Sequence, residues 1–152
     1  MLKMEEVLPA TCLLLDVEIA DKARALSQIA AKLALAARIP AAAVEGALLA
    51  REALGSTGVG HGVGLPHARL HLLRSTHAVF FRLAPPIVYD SIDGLPVDLL
   101  CAVVAPDEPN ADLLTVVSAF SRVLRDAEKT KLLRETTDPG EARVVLLSAS
   151  GR

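Results

Sequence analysis

Apolar residues along the chain follow two different periods, which predict an alternation of strands and helices. Residues 23–37 carry apolar side chains three and four positions apart, and residues 40–54 form a second helical stretch that begins with Pro40. Proline is favoured in the first turn of a helix, so two successive helices are expected here. Residues 11–17 and 76–83 are shorter, largely apolar stretches, and their length and composition predict strands.

A nearly unbroken apolar run at residues 97–104 marks the centre of the predicted fold. A strand without polar alternation is expected when both of its faces are covered. The remainder of the chain is predicted as three helices, at residues 109–125, 128–134 and 139–147. Together these elements predict a single-domain α/β sandwich over residues 1–152, with helices on both faces of a mixed, mostly parallel sheet of about five strands.

Composition narrows the class of protein. Hydrophobic residues make up 52% of the chain, but no apolar run approaches the roughly 20 residues that a membrane span needs, so no membrane insertion is expected. The N-terminal segment carries acidic residues where a signal peptide carries basic ones, which favours a cytoplasmic location. A net charge of −2, one tyrosine and no tryptophan argue against direct nucleic-acid binding. Cys12 and Cys101 lie in apolar runs without CxxC spacing and are expected to be buried thiols.

The most informative segment is glycine-rich and lies between residues 55 and 69. Four of its glycines alternate with other residues and are followed by Leu65, Pro66 and His67. Alternating glycines predict a backbone that bends sharply or approaches another group closely, and the proline stiffens the chain that presents the histidine. The segment lacks the Gly-Lys-Ser/Thr ending of a P-loop and the glycine spacing of the dinucleotide fingerprint, so neither nucleotide motif is present.

Residues 51–67 read REALGSTGVGHGVGLPH and resemble the phosphorylation site of the mannitol/fructose-type IIA proteins of the bacterial phosphotransferase system. That family's segment runs approximately Arg-Glu-x-x-Gly-Ser-Thr-Gly-Ile-Gly-x-Gly-Ile-Ala-Ile-Pro-His, and its stand-alone nitrogen-regulatory branch is the most similar. Residues 13–16 and 92–99 extend the resemblance over most of the chain. The resemblance implies an EIIA type-2 domain that is a phosphotransferase component. With no permease domain attached, it also implies a regulatory role.

The resemblance further implies a set of site residues. His67 is the phosphoryl acceptor through Nε2, with its Nδ1–H oriented by a backbone carbonyl, and the donor is an HPr- or NPr-like phosphohistidine carrier. Arg51 is the first candidate for a phosphate partner and Arg69 the second, since guanidinium groups match phosphate oxygens. Ser56 and Thr57 either donate their hydroxyl hydrogens to the phosphoryl group or cap the turn. The remaining phosphate-binding candidates are loop amides, at Gly60, Gly62 and Gly64. No cofactor or metal is required for this transfer.

One position departs from the family. The family often has a second histidine, followed by leucine, at the start of the helix after the apolar strand, and Asp112-Leu113 stands at that place here. A carboxylate beside His67 favours the protonated imidazolium and repels a phosphoryl dianion. Asp112 is therefore expected to reduce the efficiency of phosphoryl transfer. The alternative is that Asp112 only complements the positive end of its helix dipole.

Two alternative functions stay open at this point. The first is a sugar-specific IIA component that passes its phosphoryl group to a separate permease, instead of acting on regulatory target proteins. The second is a histidine metal site, because His67 and His71 have the spacing of two ligands on one helix face, with His61 or His77 as a third ligand. The lack of the glutamate of an HExxH motif and the positive charge of Arg69 disfavour the metal site.

Overall fold

The computed structural model describes residues 2–148, in which six strands form one mixed sheet and helices cover it. The strands are β1 (Leu13–Val17), β2 (Gly58–Gly60), β3 (Val63–Gly64), β4 (His67–Leu70), β5 (His77–Ile87) and β6 (Val97–Pro106). The helices are α1 (Met4–Val7), α2 (Lys22–Ala37), α3 (Ala41–Ala53), α4 (Leu113–Leu124), α5 (Ala127–Glu135) and α6 (Pro139–Leu147), with a 3-10 helix at Ala10–Cys12. Residue 1 and residues 149–152, which belong to the predicted domain, lie outside the described residues.

Strand β6 is the centre of the sheet. The strand order is β1-β5-β6-β3-β2, and β4 also pairs with β6. β6 runs antiparallel to β5 and parallel to both β3 and β4, while β1 and β5 form a further parallel pair. The sheet is therefore mixed and mostly parallel, as predicted. It has six strands instead of about five because residues 58–70 form three short strands, β2, β3 and β4, of which β2 and β3 pair antiparallel.

Burial along β6 confirms that both faces of the sheet are covered. Residues 99–105 are all fully buried, and consecutive residues of a strand point to opposite faces. The aromatic side chains of the core are also buried, at Phe80, Phe81, Tyr89 and Phe120. Cys12 and Cys101 are buried free thiols, as predicted, and burial raises the pKa of the Cys101 thiol. Within residues 2–148, no helix has the length and apolar composition that crossing a membrane requires.

Most helix boundaries follow the local signals of the sequence. Asp21 caps α2 and Asp138 caps α6, each by accepting a hydrogen bond from an amide of the first turn. The predicted start of α4 is wrong. The Ala111 amide donates to the Glu108 carbonyl, and this turn delays the helix until Leu113. Strand β5 continues beyond its predicted end.

Arg82 is a buried cation that joins the sheet to the C-terminal end of α5. The residue lies on β5 and is 7% exposed. Its Nη1 donates to the carbonyls of Leu133 at 3.0 Å and Thr136 at 2.6 Å. Its Nε and Nη2 donate to Asp16 Oδ1 at 3.2 and 2.9 Å, but the Asp16 side chain is 65% exposed. The two carbonyls at the end of α5 therefore need Arg82 as their hydrogen-bond donor. The exposed Asp16 carboxylate can be solvated by water instead.

We expect Arg82→Leu to lower the free energy of unfolding by about 2–4 kcal/mol, because it leaves the Leu133 and Thr136 carbonyls without a donor inside the protein. Asp16→Asn is the matched control and is expected to cost less than about 1 kcal/mol, as the loss of an exposed ion pair does. Urea unfolding followed by circular dichroism gives both values. Equal losses in the two variants would contradict the role assigned to the carbonyls.

Candidate functional site

His67 is the first residue of β4 and is half-buried. Its ring nitrogen Nδ1 lies 2.7 Å from the Leu65 carbonyl oxygen. Because a carbonyl oxygen only accepts hydrogen bonds, this contact requires the hydrogen on Nδ1 and leaves the lone pair on Nε2. Pro66 stands between the two residues and biases Leu65 toward extended backbone, which stiffens the segment that presents the ring.

A cavity of about 430 Å³ adjoins His67, and it is bounded by the last turns of α3, by β4 and by the start of α4. His67 and Arg69 are two residues apart on β4 and share one face of the strand, whereas Ala68 and Leu70 are buried. The lining is mainly apolar and consists of Ala47, Ala50, Arg51, Leu54, His67, Ala68, Arg69, Leu113 and Leu114. We call this space the His67 cavity.

Arg51 stands in the last turn of α3 and lines the His67 cavity. Its Nη1 donates to the Gly55 carbonyl at 2.8 Å, which holds the chain where the helix ends. This bond uses one of the five N–H groups that a guanidinium carries, so the others are available to an anion. The structure thus brings both predicted arginines, Arg51 and Arg69, to the cavity of His67.

Asp112 occupies the N-cap position of α4 and is half-buried. Its side chain accepts no capping hydrogen bond. It lines a neighbouring cavity with Arg74 and His77, while the next two residues, Leu113 and Leu114, line the His67 cavity. Asp112 therefore lies beside the His67 cavity without lining it, and its effect on phosphoryl transfer stays a prediction.

Ser56 and Thr57 both have hydrogen-bond partners within the protein. The Ser56 hydroxyl donates to the Tyr89 carbonyl at 3.0 Å and accepts from the Gly58 amide at 3.1 Å. Thr57 is 3% exposed, and its hydroxyl donates to Glu52 Oε1 at 2.6 Å and contacts the Tyr89 hydroxyl at 3.1 Å. The sequence left two roles open for Ser56 and Thr57, binding the phosphoryl group or capping the turn, and these contacts favour the second.

Glu52 is a site residue to which the sequence interpretation assigned no role. Its carboxylate accepts from the Thr57 amide at 2.8 Å and from Lys22 Nζ at 2.8 Å, and 6% of its side chain is exposed. Burial raises the pKa of Glu52, but the hydrogen bonds from Lys22 and Thr57 outweigh burial and hold that pKa below its ordinary value of 4.5. The Lys22 ammonium also lies 4.6 Å from the centre of the Tyr89 ring. The only feature of the sequence that could have marked Glu52 as a site residue is its place directly after Arg51 in the motif.

The glycine-rich segment forms a hairpin whose turn is fixed by charged side chains. His61 and Gly62 connect β2 to β3 with φ values of 56° and 78°, as a tight hairpin turn requires. The His61 amide donates to Asp93 Oδ2 at 2.9 Å, and the His61 carbonyl accepts from Arg134 Nη2 at 2.7 Å. Arg134 also pairs with Asp98 at 2.9 Å. The hairpin is therefore held from two sides by residues distant in sequence.

The three candidate glycines do not line the His67 cavity. Gly60 lines a larger cavity, of about 980 Å³, between the hairpin and helices α4 and α5. Gly64 lies so close to β6 that a Cβ atom there would be 2.7 Å from Leu100 Cδ2. Turn geometry at Gly62 and close packing at Gly64 account for these residues, and phosphate binding by Gly60, Gly62 and Gly64 stays a prediction.

The geometric premise of the metal alternative is wrong. His67 begins a strand that pairs with β6, so His67 and His71 do not share a helix face. His61 lies in the hairpin turn, and His77 Nε2 contacts the Ser75 hydroxyl at 3.2 Å. Among residues 2–148, no group of three histidine, cysteine, aspartate or glutamate side chains is placed to hold a metal ion.

Comparison with known proteins identifies a family. The family model described as "Phosphoenolpyruvate-dependent sugar phosphotransferase system, EIIA 2" matches residues 6–149. The nitrogen regulatory protein of Bradyrhizobium diazoefficiens is 40% identical over 134 residues, which are 88% of this chain and 84% of that protein. The nitrogen regulatory protein of Escherichia coli K12 is 34% identical over 152 residues, which are 99% of this chain and 93% of that protein.

A solved structure shows the same fold. The crystal structure of the nitrogen regulatory protein IIA-Ntr from Neisseria meningitidis superimposes with a TM-score of 0.90 at 30% identity, covering 94% of this chain and 98% of that one. The motif around His67, the fold and the family match over residues 6–149 agree with one another. The chain belongs to the EIIA type-2 family of the phosphoenolpyruvate-dependent sugar phosphotransferase system.

Proposed function

We propose that this protein accepts a phosphoryl group on His67 Nε2 from the phosphohistidine of an HPr- or NPr-like carrier and regulates partner proteins according to its phosphorylation state. The observation that carries the proposal is the 2.7 Å contact between His67 Nδ1 and the Leu65 carbonyl, which leaves the Nε2 lone pair free. In this proposal residues 1–152 act as one IIA type-2 domain in the cytoplasm.

The transfer needs only a neutral imidazole and a phosphorylated donor. The Nε2 lone pair forms the new N–P bond, the N–P bond of the donor breaks, and its electron pair stays on the donor imidazole. The Leu65 carbonyl stabilises the positive charge that develops on the His67 ring as it bonds to phosphorus. Positioning and electrostatics do most of the work in phosphoryl transfer.

Negative charge on the phosphoryl oxygens is stabilised by groups that border the His67 cavity. Arg51 and Arg69 supply two guanidinium groups in its lining. Helix α4 begins at Leu113, which also lines the cavity, so the positive end of its dipole adjoins the same space. We assign Ser56 and Thr57 to shaping the loop that presents His67, and the amides of Gly60, Gly62 and Gly64 stay candidates for binding the phosphoryl oxygens.

The surface around the cavity suits a protein donor. Leu54 is 85% exposed and Leu114 is 65% exposed, and both border the cavity together with the two arginines. An apolar rim around a cationic centre complements a carrier that presents a negatively charged phosphohistidine on an apolar surface.

Regulation is favoured over sugar transport as the role of the phosphorylated form. The two relatives compared above are named nitrogen regulatory proteins, and this chain matches 84% and 93% of their lengths. A sugar-specific IIA component that serves a separate permease is the alternative. Transfer of the phosphoryl group from His67 to a sugar permease component in the presence of its sugar would favour that alternative.

We expect the purified protein to gain one acid-labile phosphoryl group when it is incubated with phosphoenolpyruvate, enzyme I and an HPr-type carrier. Intact-mass spectrometry measures the gain, and His67→Ala is expected to abolish it. His61→Ala and His71→Ala are the controls, and both are expected to keep it, because these histidines lie outside the His67 cavity. Phosphorylation of His67→Ala together with its loss in His61→Ala would overturn the assignment of the acceptor.

We expect Asp112→Asn to accelerate phosphoryl acceptance by roughly threefold or more and to lengthen the lifetime of the phosphohistidine. The substitution removes a negative charge beside the His67 cavity, where the phosphoryl dianion would sit, and the repulsion between two like charges near a protein surface amounts to about 1 kcal/mol or more. The measurement is the rate of phosphorylation and of hydrolysis, followed by intact mass.

Asp126→Asn is the control for Asp112→Asn, since Asp126 is the N-cap of α5 and its loss removes the same charge from another helix start. The control variant is expected to phosphorylate at the wild-type rate. If Asp112→Asn also keeps the wild-type rate and loses only a fraction of a kcal/mol of stability, Asp112 acts on the helix dipole alone.

A further inference from the structure

A continuous set of hydrogen bonds connects Glu52 to the imidazole of His67. The Glu52 carboxylate accepts from the Thr57 amide at 2.8 Å and from the Thr57 hydroxyl at 2.6 Å. The Thr57 carbonyl accepts from the Leu65 amide at 2.9 Å. The Leu65 carbonyl then accepts from His67 Nδ1 at 2.7 Å. Each of these bonds holds a residue from which the next bond extends.

The carboxylate at the start of this set is itself held firmly. Lys22 Nζ lies 2.8 Å from Glu52 Oε2, and 6% of the Glu52 side chain is exposed. Thr57 contacts Glu52 of α3 and Tyr89, which follows the end of β5, so two separate segments of the chain hold it. Asp90 also approaches Lys22, at 3.8 Å, but its side chain is 77% exposed and makes no bond to Thr57.

His67 needs such support because an isolated imidazole exchanges its hydrogen between Nδ1 and Nε2. The bond made by one ring nitrogen sets which nitrogen carries the hydrogen, and a displaced Leu65 carbonyl releases that constraint. A hydrogen on Nε2 removes the lone pair that attacks phosphorus. The position of the Leu65 carbonyl therefore decides what fraction of the protein is competent to accept a phosphoryl group.

We propose that Glu52 is a positioning residue for His67, which acts through Thr57 and Leu65 to keep the hydrogen on Nδ1 and the lone pair on Nε2. This inference rests on the proposed function, since it concerns the reactive form of the same histidine. Glu52 does not line the His67 cavity. We expect its contribution to be to the chemical step and not to docking, because its carboxylate bonds to Thr57 and Lys22, neither of which lines the cavity.

The test compares Glu52→Ala with two matched variants. Glu52→Gln keeps an oxygen that accepts from the Thr57 amide. Asp90→Asn removes the other carboxylate near Lys22 without touching Thr57. Long-range ¹H–¹⁵N NMR of the unphosphorylated proteins reports which nitrogen of His67 carries the hydrogen. Steady-state phosphorylation by a phosphorylated HPr-type carrier gives kcat and KM.

The expected result is a mixture of both His67 tautomers in Glu52→Ala, with kcat reduced about tenfold or more and KM for the carrier unchanged. Asp90→Asn is expected to match the wild type, and Glu52→Gln to recover most of the Nδ1–H form. If Glu52→Ala is too unstable to fold, Thr57→Val, which removes the hydroxyl bond at nearly constant volume, is expected to shift the tautomers in the same direction.

A wild-type spectrum for His67 in folded Glu52→Ala or Thr57→Val, with an unchanged kcat, would overturn the inference and leave Glu52 as a stabilising residue only. This outcome is distinct from failure of the proposed function. If the proposed function fails, the wild-type protein acquires no phosphoryl group from any carrier. The NMR comparison of the unphosphorylated variants then still shows whether Glu52 controls the tautomer.

Discussion

The hydrogen bond between His67 Nδ1 and the Leu65 carbonyl requires that both the imidazole ring and the carbonyl group be held in position. The ring side is set by β4, where His67 lies in register with Val103 of the buried central strand. The carbonyl side is set by the Leu65 amide, which donates to the Thr57 carbonyl across the base of the hairpin. A shift of either side by a few tenths of an ångström changes the bond, so the surrounding structure has to be rigid.

That rigidity comes from charged residues at the hairpin and from apolar packing beneath it. Arg134, Asp93 and Asp98 hold the turn, while Gly64 allows the hairpin to lie directly on β6. Turn geometry at Gly62 and close packing at Gly64 shape the loop, while Arg51 and Arg69 reach the His67 cavity from α3 and β4. A largely apolar cavity thus holds His67 together with the two arginines.

Much of the fold follows from local signals in the sequence. The apolar period and the caps at Asp21 and Asp138 locate α2 and α6, and the unbroken apolar run locates β6. The predicted start of α4 is wrong because a turn closed by residues 108–111 precedes the helix. A proline before a polar stretch is compatible with either a turn or the first turn of a helix. β4 is a strand only through its pairing with β6, which no local period reveals.

The candidate site is predictable to a similar degree. His67, Arg51 and Arg69 follow from the motif and from the chemistry of phosphate recognition, and the structure brings them to one cavity. The position of Asp112 outside the lining of that cavity depends on the turn before α4. The contacts of Glu52 with Lys22 join two helices, and a single sequence contains no signal for such a tertiary pair.

In the proposed function, the fold reserves Nε2 of His67 for phosphoryl transfer by occupying Nδ1 with the Leu65 carbonyl. NMR of the ¹⁵N-labelled, phosphorylated protein tests it most directly, since the ¹⁵N–³¹P coupling identifies the nitrogen that bears the phosphoryl group. The coupling is predicted on Nε2 of His67, with the Nδ1 hydrogen retained. A phosphoryl group on Nδ1 of His67, or on any other histidine, would contradict the account.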